Sequence, residues 1–414
     1  MPRRTSFRGA RTRTTVLVAL VVCALSGAAS GAPPAAPARA WTRVAEGVEY
    51  RTYDITSGRG VARAHLLAAD LSVAGVSVGL LYPGAVAARS PLSTLADAAG
   101  ATGGVNGDFF HMTESQHPGV EATGAAVGPV VADGRDLKAA VPNGQRFGPA
   151  LPPGTNTRQV IGVDGTGRAR LGELVLEGAV STPTGELPLK GHNQYALPVG
   201  SVGVFDKDWG SPSRVRATCG TDTQRGAPCS TETYEVTVRG GKVVSVADTP
   251  GGGAIASGTE VLVGREAGAR ELRKLAVGDA VGVRHELVSA GPEPGAAFRF
   301  AVGGYPVLRD GVALPGMDGV TAAVRTAAGI ADGGTRLLLL ALDGGADFRS
   351  GLSVVELAEV MRGLGASDAV NLDGGGSSTL VARVGEAQRV SVLNHPSGGF
   401  QRPVPNGIGV FVRA

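Results

Sequence analysis

The sequence predicts an α/β (α+β) fold: a mixed sheet with flanking helices and an inserted all-β module. Three observations predict it. The last third of the chain alternates apolar runs with a well-capped helix. A middle stretch carries short strand-like pieces at close spacing and no helical period. The early part reads as strands followed by one short helix.

Residues 1–40 read as an export signal. Arg3, Arg4, Arg8, Arg11 and Arg13 form a positive start, Val16 to Leu25 is an unbroken apolar run, and Ala38-Arg39-Ala40 fits a small-x-small cleavage site. The run is shorter than the ~20 apolar residues of a membrane span. Leu20-Val21-Val22 before Cys23 lacks the small residues of a lipoprotein signal. The expected localisation is secreted, with no stable membrane insertion. Segment 1–40 holds six of the 39 basic residues and no acid, which leaves 33 basic against 36 acidic. A net charge of −3 provides no field for nucleic acid, so a nucleic-acid partner is not expected. Oligomeric state cannot be read from these residues.

Residues 41–157 form the first part of the main domain. Val61 to Leu67 and Leu71 to Leu81 are β-rich. Ser93 to Ala99 suggests a short helix, capped by Ser93 and ended by Gly100. A run Gly104-Val105-Asn106-Gly107-Asp108-Phe109-Phe110-His111 follows.

Residues 158–295 form the inserted β-rich module, with Gly240-Gly241 as a two-residue hairpin turn. Its one polar pair of note, His192-Asn193, reads most simply as a loop. Cys219 and Cys229, ten residues apart in an exported chain, predict a disulfide rather than a metal pair, since no histidine or third cysteine lies near in sequence.

Residues 296–414 complete the main domain. Arg336 to Leu342 is a continuous apolar run and predicts a strand buried on both faces. It ends at Asp343-Gly344-Gly345. Ser353 and Glu356 make a capping box, Val354, Val355, Ala358, Met361 and Leu364 recur at helical spacing, and Gly365 closes the helix. A second strand, Ala369 to Leu372, ends at Asp373-Gly374-Gly375-Gly376-Ser377-Ser378. A strand–helix–strand crossover makes the two strands parallel. Asp343 and Asp373 then stand at one sheet edge, ~5 Å apart if the strands are neighbours. The glycine N–H groups and serine hydroxyls are expected to face an anion beside the Asp373 carboxylate. A plain turn is the competing account of that stretch alone.

Taken together, these blocks resemble the phosphodiester glycosidases. The matching blocks are Val105 to Phe110, Asn193, Arg325 to Gly329, Leu342 to Gly345, the capped helix, Asn371 to Thr379 and Arg402-Pro403-Val404-Pro405-Asn406. The resemblance implies hydrolysis of the bond between a sugar's anomeric carbon and a phosphodiester, with a phosphomonoester released. It implies a site lined by Asn106, Arg325, Asp343, Asp373 and the Gly374–Ser378 loop. The expected catalytic residues are Asp373, Asp343 and Asn106. Arg325, Asn193, Asp108, Gly374, Gly375, Gly376, Ser377 and Ser378 are expected to bind substrate, a glycan or sugar phosphate. His111 is a further, weaker candidate for general acid.

No cofactor is indicated by the sequence. A metal-dependent phosphodiesterase, with Asp108, Asp343 and Asp373 around a hard cation, is the competing enzyme class. A non-catalytic cell-wall polysaccharide binder is the other alternative, against which stands the low aromatic content, 4%.

Overall fold

A strand that is apolar at every position needs cover on both faces, and Leu337 to Leu342 has it. Leu337, Leu339 and Ala341 pack into one core with Val105, Ile161, Phe300 and Val410. Leu338, Leu340 and Leu342 pack into another with Leu357, Ala358 and Met361. The computed structural model describes residues 40–290 and 295–413. The expected signal segment therefore lies outside the described residues, apart from Ala40.

Arg336–Leu342 belongs to an eight-stranded sheet. Its order is Thr42–Ala45, Val48–Ser57, Gly60–Asp70, Arg336–Leu342, Thr326–Ala331, Asp368–Leu372, Tyr305–Arg309 and Val312–Ala313. A five-stranded sheet runs Val390–Val392, Leu380–Arg383, Gly103–Asn106, Gly407–Val412, Val76–Leu81. The third sheet has eleven strands. It holds the strands of the β-rich segment together with Val130–Ala132, Arg135–Lys138 and Phe298–Gly303.

The α/β expectation is corrected by this architecture. The described residues contain 24 strands but three α-helices, Leu92–Ala99, Ala267–Leu272 and Val354–Gly363. Nearly every pairing is antiparallel; Gly185–His192 with Val202–Phe205 is the parallel exception. The strand–helix–strand unit is present, and its two strands run parallel. They are not neighbours, however. Thr326–Ala331 lies between them and pairs antiparallel to both, with Thr326 opposite Ala341 on one side and Leu372 on the other. Two strand spacings, ~10 Å, therefore separate the two aspartate corners.

That intervening strand hid in the sequence because its residues, Thr-Ala-Ala-Gly-Ile-Ala, are small. The structure shows why they must be. A Cβ on Gly329 would run into Met361 of the capped helix and Ala366. The Met361 side chain reaches down onto this Ala and Gly face, where the strand gives up β-propensity for close packing.

Local signals fared better. Ser353 Oγ accepts the Glu356 N–H at 3.2 Å and Glu356 Oε2 accepts the Ser353 N–H at 2.8 Å, completing the capping box. Gly240 and Gly241 both take positive φ in a hairpin that pairs Arg239 with Lys242. The Cys219–Cys229 disulfide is present. The first helix begins one residue earlier than expected. Pro91 is its N-cap, and Ser93 sits inside the first turn, its N–H taken by Gln401 Oε1 at 3.0 Å.

Candidate active site

Asp373 follows the last residue of Asp368–Leu372, and the Asn106-Gly107 segment holds its backbone. Its N–H donates to Gly107 O at 2.9 Å, and its carbonyl accepts the Asn106 side-chain amide at 2.6 Å. The next corner is pinned by the Gly375 N–H on Val324 O at 2.7 Å. Asn406 closes the arrangement from the far end of the chain. Its carbonyl accepts the Gly107 N–H, and its side-chain oxygen accepts the Asp108 N–H, both at 3.0 Å. The sequence blocks around residues 106, 373 and 406 thus converge on one carboxylate.

That carboxylate opens into a cleft of about 250 Å³. Arg325 and Arg402 line it with Asp373, and Phe109, Met112 and Phe147 supply apolar wall. Arg325 reaches the same edge because it precedes the antiparallel strand that separates the two corners. Its Nε and Nη2 donate to Leu352 O and Thr321 O, each at 2.9 Å, which sets the guanidinium plane, and the charge of Asp318 acts on it. Arg402 Nη1 donates to Ser377 Oγ at 3.2 Å. Burial pushes the Asp373 carboxyl up to about 6, against the opposing pull of the Ser377 hydroxyl, Arg402 and the Gly374 N–H.

The glycine-rich loop does not form the expected nest of free N–H groups. Gly374 N–H serves the Asp373 carboxylate, Gly375 N–H serves Val324, and the Ser377 and Ser378 N–H groups close a single 3₁₀ turn, Gly375–Ser377. The positive groups at the cleft are the two arginines instead. Two of the glycines lie at close approaches, Gly374 against the Val324 carbonyl and Gly376 against the Arg402 guanidinium, while Gly375 takes a positive φ with open space around it. Ser378 faces inward, its Oγ 3.1 Å from Thr326 Oγ1.

The other expected site residues scatter. Asn106 is fully buried, and its Oδ1 accepts both Thr326 Oγ1 and the Thr379 N–H, so none of its polar atoms faces the cleft. Asp108 lies buried behind the site, with Oδ2 on the Gly128 N–H at 2.6 Å. Burial raises its carboxyl, and the buried Lys138 ammonium opposes the rise. Asn193 belongs to the β-rich segment, bonded to Leu137 O and Asp206. His111 is enclosed against Tyr195 and Phe147. Burial first, then Arg216, push it down to about 4, so it is neutral at pH 7 and a poor proton donor.

Asp343 opens into a different cavity, of about 390 Å³, with His65, His395, Arg63 and Tyr50. His65 Nε2 lies 3.0 Å from Asp343 Oδ1, and Tyr50 Oη lies 2.7 Å from His65 Nδ1. Burial would raise the Asp343 carboxyl, but the bonds from His65 and the His395 N–H hold it below the usual carboxylate range. One segment ties the two corners together. Gly344 N–H donates to His395 O at 2.6 Å, Ser397 Oγ donates to Gly375 O at 3.3 Å, and Asn394 Nδ2 donates to Leu342 O and Ser378 O.

Arg402 was visible in the sequence only as part of a block and carried no role there. Phe147, Met112, His65 and Tyr50 gave no sequence signal. Each reaches its cavity only through sheet packing.

Residues 232–411 match the phosphodiester glycosidase family. The matched part includes Arg325, Asp343, Asp373 and Arg402; Asn106 and Asp108 precede it. No curated protein matches the chain. Solved structures share the fold, two of them as follows. One is a hypothetical protein from Synechocystis, with TM-score 0.67 and 22% identity over 92% of this chain and 64% of that one. The chain thus spans 64% of that protein's length. The other is a candidate exported protein from Burkholderia pseudomallei K96243, with TM-score 0.64 and 24% identity over 85% of this chain and 74% of that one. The catalytic domain of zebrafish N-acetylglucosamine-1-phosphodiester alpha-N-acetylglucosaminidase, auto-inhibited by pro-peptide, aligns more loosely. Its TM-score is 0.43 at 14% identity, over 89% of this chain and 84% of that domain.

Proposed function

We propose that this chain, which matches the phosphodiester glycosidases over residues 232–411, hydrolyses the anomeric C–O bond of a sugar-1-phosphodiester. The products are the sugar and a phosphomonoester. One observation carries the reading: a single carboxylate, Asp373, shares its cleft with two guanidiniums. Ordinary glycosidases need two carboxyl groups because an alkoxide leaving group must be protonated. A phosphate ester leaves as a stable anion and needs positive charge instead. Arg325 and Arg402 suit its oxygens. Asp373 suits the other side of the scissile bond. There it stabilises the oxocarbenium-like sugar as nucleophile, or activates water as base. Phe109, Met112 and Phe147 offer an apolar face for the sugar ring.

The metal-dependent reading is less well supported. Its three carboxylates do not share a cavity: Asp373 lines one, Asp343 another, and Asp108 is buried behind the first. The deciding experiment is a panel of sugar-1-phosphodiesters assayed for free sugar and for inorganic phosphate. Free reducing sugar, with an organic phosphate as co-product, supports the proposal. A phosphorylated sugar with the C–O bond intact overturns it.

We infer that the protein acts outside the cytoplasm. The order of arginine, apolar and small residues over 1–40 and the Cys219–Cys229 bridge support this. N-terminal sequencing of the secreted form should find cleavage near Ala40, and an intact Met1 on a cytoplasmic protein would refute it.

A further inference from the structure

The β-rich segment carries a second constellation that the proposed chemistry does not use. His192 is the last residue of Gly185–His192, Asp206 follows Val202–Phe205, and His285 lies within Gly282–Ser289. The first two strands pair in parallel, with His192 opposite Val204. The third pairs with Ala169–Thr182, which in turn pairs with Gly185–His192. Strands distant in sequence thereby bring two imidazoles and a carboxylate together. One donor atom from each lies within 4.8 Å of the other two. The two rings are 4.1 Å apart, and His192 Nε2 lies 3.1 Å from Asp206 Oδ2.

A hydrogen-bonded His–Asp pair with a stacked neighbour would account for the distances alone. Two further features go beyond that account. The Nδ1 atoms of His192 and His285 are both buried without a hydrogen-bond partner, and His192 is completely enclosed. A ring nitrogen sealed from water with nothing in exchange is costly, and a ligand reaching His285 Nδ1 removes that cost; at His192 the nitrogen that faces Asp206 is Nε2, which Asn193 Nδ2 also approaches at 3.0 Å. The Asp206 carboxylate is held from behind. Its Oδ1 accepts the Asn193 side-chain amide at 2.7 Å and the Asp208 N–H at 2.8 Å, which leaves Oδ2 facing the imidazole. Metal-binding carboxylates are oriented by outer bonds of this kind.

We propose that His192, His285 and Asp206 bind one first-row divalent cation of the zinc type. Two nitrogens and one oxygen are the donor set such ions take, and three protein ligands leave a fourth position for water or a ligand oxygen. The proposal is independent of the chemistry assigned to the Asp373 cleft. The nearby trio of His117, Cys219 and Cys229 is not a rival site, since both sulfurs are spent in the disulfide.

The test is titration of zinc chloride into the chelator-stripped, purified full chain, followed by calorimetry and by thermal melting. One saturable zinc per chain and a raised melting temperature are expected. Cobalt chloride should give visible d–d absorption with the same stoichiometry. His285→Gln and Asp206→Asn should each weaken zinc binding by at least ~10-fold, while His117→Ala leaves it unchanged. Circular dichroism checks that each variant is folded, and the two ligand variants are read independently. No saturable binding, equal affinity in folded His285→Gln and Asp206→Asn, or loss of binding in His117→Ala would each overturn the proposal.

Discussion

The Asn106 side-chain amide donates to the Asp373 carbonyl oxygen at 2.6 Å, while its own oxygen holds the Thr379 N–H at 3.0 Å. One buried amide therefore ties down both ends of the glycine-rich loop and sets where the Asp373 carboxylate stands. In the proposed reading its role is positioning. Asn106→Ala should remove three buried bonds and cost about 2–4 kcal/mol of stability, read by denaturant melts. Turnover should fall in the fraction that remains folded, with KM little changed. A raised KM at unchanged kcat and stability would instead mark Asn106 as a substrate ligand.

Asp373→Asn should abolish sugar release, by at least ~10²-fold, while shifting stability by less than ~1 kcal/mol. Asp343→Asn should give the smaller defect. Asp343 lies in the cavity with His65 and reaches the Asp373 loop only through residues 394–397. Rates and melts on both variants decide it. Near-wild-type sugar release from folded Asp373→Asn would falsify the catalytic role.

The pH profile follows from the sign of the Asp373 shift. Burial raises its carboxyl to about 6, so it is protonated below that pH and charged above it. A base or nucleophile must be charged. Hence kcat/KM should climb as pH rises through about 6 and then level off. The opposite slope, activity falling through pH 6, would assign Asp373 as a general acid.

The Cys219–Cys229 bridge closes a short loop onto the wall of the cleft. His117 Nε2 donates to Ala227 O at 2.8 Å, and Gln145 Nε2 donates to Thr221 O at 2.5 Å, two residues before Phe147. Replacing both cysteines by serine should cost about 2–3 kcal/mol. The measurement is a melt of the double variant beside the wild type, with and without reductant. Reductant should lower only the wild type.

The reach of the sequence differs between the two corners and the space around them. Local periodicity and capping chemistry were enough for Arg336–Leu342, the Ser353–Glu356 capping box, the Gly240-Gly241 hairpin and the disulfide, because each depends on residues close in the chain. Asp373 was legible for the same reason: an apolar run that stops at Asp-Gly-Gly-Gly marks a strand end wherever that strand lies.

Sheet order was not legible, and sheet order decides the site. Thr326–Ala331 carries no β signature because Met361 and Ala366 press on it and require small side chains, so the strand that separates the two corners was invisible. Its insertion moves Asp343 away from Asp373 and puts Arg325 between them. Arg402 and Phe147 meet Asp373 across sheets, and His192 meets His285 through strands far apart in sequence. The sequence by itself determined the strands that carry an apolar run, such as Arg336–Leu342 and the one that stops at Asp373, and the Ser353 cap of the long helix. Only the tertiary structure decided which ends meet, because pairing is set by side-chain packing between distant segments, and that leaves no period in the chain.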